Sequence, residues 1–183
     1  MIQYIRQEVS RLKKKFDTKD PFELCRDLKI ILLYEPMGCF EGCCKGFIYV
    51  RSRKVAITIN SDLPEYLHRI ILAHEIGHAI LHRSIVGVQG YHDFQLFDET
   101  SKMEYEANLF AAELLLNDSD VLEVLNDDTS FFGAARMLYV PAELLDFKWR
   151  VLKRNGYKIG DSPIIANGDF LKNAEKQRYY PSR

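Results

Sequence analysis

No apolar run in the 183 residues approaches the length of about 18 that a membrane-crossing helix requires, so the sequence offers no such span. Net charge is almost absent as well: 25 Lys and Arg against 26 Asp and Glu leave −1 at pH 7. That balance excludes a global field that would draw the chain to nucleic acid or an anionic membrane. The opening MIQYIRQEVSRLKKKF carries charges where the apolar core of a secretory signal would lie, so the expected compartment is the cytoplasm. Cysteine is scarce. Cys25, Cys39, Cys43 and Cys44 read as reduced thiols, and CFEGCC is not a paired CxxC element, which excludes a disulfide framework and argues against a cysteine-held zinc. Internal repeats and low-complexity linkers are also missing.

What is there is ordinary globular material, 47% hydrophobic and 28% charged, enough to bury one core without staples. Its charge is unevenly placed: residues 93–128 hold eleven acidic side chains against one lysine, and 147–183 hold nine basic against three acidic. Solvated surface is the plain meaning of such blocks. Ile2, Ile5, Val9, Leu12 and Phe16 recur at helical spacing, and Asp20 with Pro21 opens a second short helix through about Leu28. Three strand-like runs follow, KIILLYE from Lys29, GFIYVR from Gly46 and KVAITIN from Lys54. Only Ser52 and Arg53 part the last two, which predicts a tight hairpin. Asp62, Pro64 and Glu65 read as the capping box of a helix running through His82, and further helices are predicted at about 101–117, 118–126, 130–139 and 141–154.

The predicted helix ending at His82 carries ILAHEIGHAILH, residues 71–82. His74 and His78, four apart, lie one above the other on one face, at the separation that two ligands of one zinc ion need. Glu75 sits one residue round, able to reach a water in the open coordination position without binding the metal itself. Neutral imidazoles leave the dication's charge uncancelled, and the glutamate can take the water's proton and deliver it to a leaving amine. His82 continues the same face, but at eight residues from His74, about 12 Å along the axis, it cannot share the ion.

A third ligand must come from elsewhere, and MEYEANLFAAELLL, residues 103–116, is the best source. Glu104 and Asn108 share a face, so a helix presenting Glu104 to zinc brings Asn108 one turn later to accept the outer N–H of a ligating histidine. Glu106, about 200° round from Glu104, is the rival; Glu104 is preferred because only it has Asn108 one turn on. The alanines would let this helix approach closely near Gly77.

HEIGHAILH followed by EYEANLFAAELLL, and preceded by KVAITIN, resembles the ImmA/IrrE family of zinc-dependent metallopeptidases over roughly residues 20–153. The resemblance implies zinc on His74, His78 and Glu104, Glu75 as catalytic base, and Asn108 in the position of the asparagine that follows the family's Glu-x-x-Ala. It implies a compact zincin-like α+β fold, which with the elements read above gives a domain with a small, mostly antiparallel sheet and an active-site helix over residues 1–126, followed by a helical C-terminal subdomain and tail over 127–183, packed on the same domain. It also implies a substrate, a helix-turn-helix repressor of a phage or other mobile element, whose cleavage relieves repression.

Within that architecture KVAITIN is the candidate edge strand for pairing an extended substrate, and an interior strand is the alternative. Tyr91 and His92 are candidate donors to the transition state. Residues 131–152 have a helix-turn-helix outline, but the second helix has few polar residues at its N-terminal end, so direct DNA binding is not expected. The alternative function is a non-catalytic zinc-binding module that binds a repressor or DNA, against which the presence of Glu75 argues.

Overall fold

The computed structural model describes residues 1–40, 42–84, 98–125 and 129–166. Its elements are α1 (Ile2–Phe16), α2 (Pro21–Asp27), β1 (Ile31–Glu35), β2 (Gly46–Arg51), β3 (Lys54–Asn60), α3 (Glu65–Leu81), α4 (Asp98–Leu115), α5 (Asp118–Val124), α6 (Phe131–Met137) and α7 (Ala142–Arg154). This is the expected α+β class.

Local chemistry explains most boundaries. Asp20 caps α2 by accepting from the Phe22 N–H at 2.9 Å, and Pro21 occupies the first turn, where a missing N–H costs nothing. Ser52 and Arg53 both take left-handed backbone conformations, with φ of 49° and 68°, as a two-residue hairpin turn between β2 and β3 demands. The expected capping box on α3 does not form. Pro64 takes the N-cap position with no side-chain cap, because the Asp62 carboxylate accepts instead from the Gly38 N–H at 2.7 Å.

The sheet has order β1-β3-β2, with β1 parallel and β2 antiparallel to β3. KVAITIN is therefore the central strand, and the edge role foreseen for it passes to β1 and β2. Burial gives the reason: Val55, Ile57, Thr58, Ile59 and Asn60 are all buried, whereas β1 is largely exposed. A strand covered on both faces belongs inside the sheet.

One side of the sheet receives α3, which is buried without interruption from Ile70 to Ala79. Such all-round burial marks a helix at the centre of a molecule rather than on its surface. Its principal neighbour is α4, and α1 and α7 pack on α4 in turn. Ile5, Val9 and Leu12 of α1, Leu109 and Phe110 of α4, and Phe147 and Leu152 of α7 belong to one continuous apolar cluster with the strands. At the α3/α4 crossing a Cβ added to Gly77 would stand 3.2 Å from the Ala107 Cα and 3.2 Å from the Phe110 Cβ. Absence of a side chain there sets how closely the two helices approach.

Asn60, at the end of β3, is fully buried and organises the loop between β1 and β2. Its Oδ1 accepts from the Met37 N–H at 3.1 Å, and its amide nitrogen donates to the Gly38 and Cys44 carbonyls at 2.8 Å each. That loop delivers Gly46 to the start of β2, against α3.

Candidate metal centre

The i, i+4 spacing on α3 does what helix geometry predicts: the His74 and His78 rings are stacked edge to face, with centroids 4.7 Å apart. Their Nε2 atoms are 3.0 Å from one another. Glu104, entering from α4, bridges the pair, with Oε2 3.2 Å from His74 Nε2 and Oε1 3.3 Å from His78 Nε2. Three atoms with lone pairs directed at a common point repel one another unless a cation lies between them. Tetrahedral zinc with ligand bonds near 2.0–2.1 Å sets its ligands about 3.3 Å apart. The two imidazole nitrogens, 3.0 Å apart, and the Glu104 oxygens that lie 3.2 and 3.3 Å from them are spaced on that scale. His74, His78 and Glu104 also form the group able to hold a metal ion among the described residues.

Asn108 lies one turn beyond Glu104, and its Oδ1 is 2.7 Å from His74 Nδ1. An amide oxygen only accepts, so the His74 proton resides on Nδ1 and the Nε2 lone pair faces Glu104. Glu106 points the other way: its Oε2 is 3.0 Å from Nε2 of His82. The His82 ring is buried, with Nδ1 3.1 Å from Nδ1 of His78. Sequence reasoning kept His82 away from the metal position on distance and put Glu106 on a separate face. It did not see that the two meet.

Electrostatics separates the buried carboxyls. Burial pushes Glu75 up to about 7, more than the neighbouring His74 charge can reverse. Burial acts on Glu104 in the same direction, but hydrogen bonds and charge from His74 and His78 prevail and hold it well below the ordinary range. His78 is lowered to about 4 by burial, keeping its imidazole neutral near pH 7, as a metal ligand must be. His74 is held above its ordinary value, since Glu104 outweighs the opposing effect of burial.

Glu75 faces β2. A Cβ on Gly46 would be 3.7 Å from Glu75 Oε1, and it would clash with Ile71 Cγ2 at 2.6 Å. Gly46 thus permits the strand to lie against the helix beside this carboxylate, a role not visible in the sequence. Tyr91 and His92 lie outside the described residues. The four cysteines are thiols, and none belongs to the candidate metal group.

Three of the four basic residues of α7 have carboxylate partners, and Arg154 is exposed. Lys148 is fully buried, with its ammonium 2.6 Å from Glu113 Oε2 and 2.6 Å from Asp118 Oδ1. Arg150 pairs with Asp146 at 2.6 Å, and Lys153 with Asp161. Leu144, Leu145, Phe147, Val151 and Leu152 bury the helix that a helix-turn-helix would insert into a groove. Among the described residues no helix is long and apolar enough to cross a membrane.

Similarity to known proteins agrees with this geometry. The model of the Peptidase M78 family, the IrrE N-terminal-like domain, matches residues 25–150, from α2 to α7. The chain is 35% identical over 144 residues to a Bacillus phage phi105 protein called uncharacterized immunity region protein 2, covering 79% of this chain and 88% of that one. It is 27% identical over 166 residues to metallopeptidase ImmA of Bacillus subtilis strain 168, covering 90% and 95% respectively. With the family model spanning more than half of the chain, and a relative aligned over most of both sequences, the protein belongs to the M78 peptidase family of IrrE N-terminal-like domains.

Proposed function

We propose that this metallopeptidase is a zinc endopeptidase that hydrolyses a peptide bond in a helix-turn-helix transcriptional repressor and so relieves repression. The observation that carries the reading is the convergence of His74, His78 and Glu104 within 3.3 Å of one another, with a fourth, buried carboxyl at Glu75 beside them. His74, His78 and Glu104 would hold the ion. When bound, zinc supplies Lewis acidity, which makes a coordinated water acidic and polarises the scissile carbonyl. Asn108 keeps the His74 ring in the tautomer that leaves Nε2 free to ligate. Glu75 accepts the proton of the attacking water and passes it to the leaving amine nitrogen. Its elevation to about 7 suits a group that must both take and return a proton near neutrality.

Substrate would add to β2. Among the described residues that strand pairs with β3 alone, and it begins at Gly46 next to Glu75, so an extended peptide on its outer edge would pass the carboxylate. The phage immunity-region relative and the ImmA relative support a substrate in the control circuitry of a mobile element. A cytoplasmic setting is consistent with such a target. Two observations support catalysis over the non-catalytic alternative: Glu75 is present and buried, and Lys148 and Arg150 of α7 are paired within the chain.

The test is incubation of the purified chain and zinc with the repressor encoded beside it. The expected result is a single cut, identified by mass spectrometry and abolished by a chelator. An intact repressor that nevertheless binds the chain would favour the non-catalytic module.

A further inference from the structure

His82 and Glu106 lie outside the ligand set, yet their placement is specific. His82 closes α3 at its C-terminal end, where its backbone N–H donates to the His78 carbonyl at 3.0 Å, and its side chain turns back onto the same residue. His78 Nδ1, His82 Nδ1, His82 Nε2 and Glu106 Oε2 then form a line with steps of 3.1 and 3.0 Å on either side of the His82 ring. Both side chains are largely shielded, 5% exposed for His82 and 18% for Glu106.

Hydrogen-bond chemistry fixes the direction of this line. A carboxylate only accepts, so a neutral His82 presents N–H at Nε2 to Glu106, and its Nδ1 is then left as a lone pair. Two facing Nδ1 atoms need one proton between them, so that proton belongs to His78. A proton on His78 Nδ1 leaves the Nε2 lone pair toward His74 and Glu104, where a ligand's lone pair has to be. The direction imposed by Glu106 is therefore the one that metal binding by His78 requires.

We propose that Glu106 and His82 are positioning residues that fix the tautomer and ring orientation of His78 and thereby set the metal affinity of the site. The inference rests on the reading of His78 as a ligand. It also gives the two ligating histidines unlike supports, a neutral amide from α4 behind His74 and a histidine–carboxylate relay behind His78. Removing a support of this kind typically weakens metal binding about 10- to 100-fold without removing the ligands.

Zinc affinity, read by competition with a chromogenic chelator, tests the relay in the native chain and in His82→Phe, Glu106→Leu and Glu106→Gln. His82→Phe and Glu106→Leu should bind one ion at saturation but about 10- to 100-fold more weakly. Glu106→Gln keeps an oxygen acceptor for His82 and should remain closer to the native value than Glu106→Leu. Nitrogen-15 spectra of the native zinc-loaded protein should show His82 protonated at Nε2 and His78 at Nδ1, a readout that does not depend on any variant folding. Native affinity in both His82→Phe and Glu106→Leu, or His82 protonated at Nδ1, would overturn the relay alone. A native chain that takes up no zinc, or a His78→Ala variant that binds it as tightly as the native chain, would overturn the ligand assignment and the relay with it.

Discussion

Two glutamates, Glu75 and Glu104, stand at the same pocket under opposite influences. Glu104 is held ionised by two imidazoles, whereas Glu75 is raised to about 7 by burial. A base must be ionised to accept a proton, so activity should fall as pH drops through the Glu75 pKa. A dication in the pocket favours the carboxylate, which moves that limb downward. The pH profile of kcat/KM for the zinc-loaded protein should therefore show an acid limb with its midpoint below about 7; a midpoint above 8 would contradict the assignment of Glu75 as base. His74, Glu75 and His78 are legible in sequence because an i, i+4 pair needs only a helix to meet, and that helix is announced by its own apolar run. Glu104 and Asn108 are legible for the same reason, as two residues on one face of a second helix. The pairing of His82 with Glu106 is not, since it depends on how α3 and α4 lie against each other.

That mutual placement of helices turns on Gly77. A Cβ there already stands 3.2 Å from the Ala107 backbone, so the two methyls of a valine would force α4 outward and carry Glu104 away from His74 and His78. Gly77→Val should cost about 1–3 kcal/mol of stability by overpacking and weaken zinc binding at the same time. Thermal unfolding of the metal-free protein and a zinc titration check the two effects separately; a variant with native zinc affinity would show that the crossing does not set the site. Helices and strands are largely readable from periodicity and turn residues, as α2 and the β2–β3 hairpin show. Strand order is not, because β2 and β3 differ in how many neighbours cover them rather than in alternation. Asp62 illustrates the same limit: as a local signal it is a helix cap, but Gly38, 24 residues away, takes its carboxylate.

Across the molecule, Lys148 joins elements that the apolar core alone would leave to slide. Its ammonium contacts Glu113 of α4 and Asp118 of α5, and Arg6 of α1 approaches the same two carboxylates at 3.5 and 2.5 Å. Lys148→Met removes the buried cation and leaves both acids to Arg6 alone, which should destabilise the protein by about 3–5 kcal/mol. Adding Glu113→Gln and Asp118→Asn should recover part of that loss in denaturant unfolding; no loss in the single variant would mean the network is incidental. The opposed acidic and basic blocks of the sequence thus meet in part within the fold, where Lys148 pairs with Glu113 and Asp118. In the proposed mechanism the fold places Glu75 beside the scissile peptide bond at the metal site. The most direct measurement compares native chain and Glu75→Gln, both zinc-loaded, on the repressor substrate. Glu75→Gln should retain one zinc and a native melting profile while cleavage falls by at least about 100-fold. Cleavage by a metal-replete Glu75→Gln protein at the native rate would contradict the account.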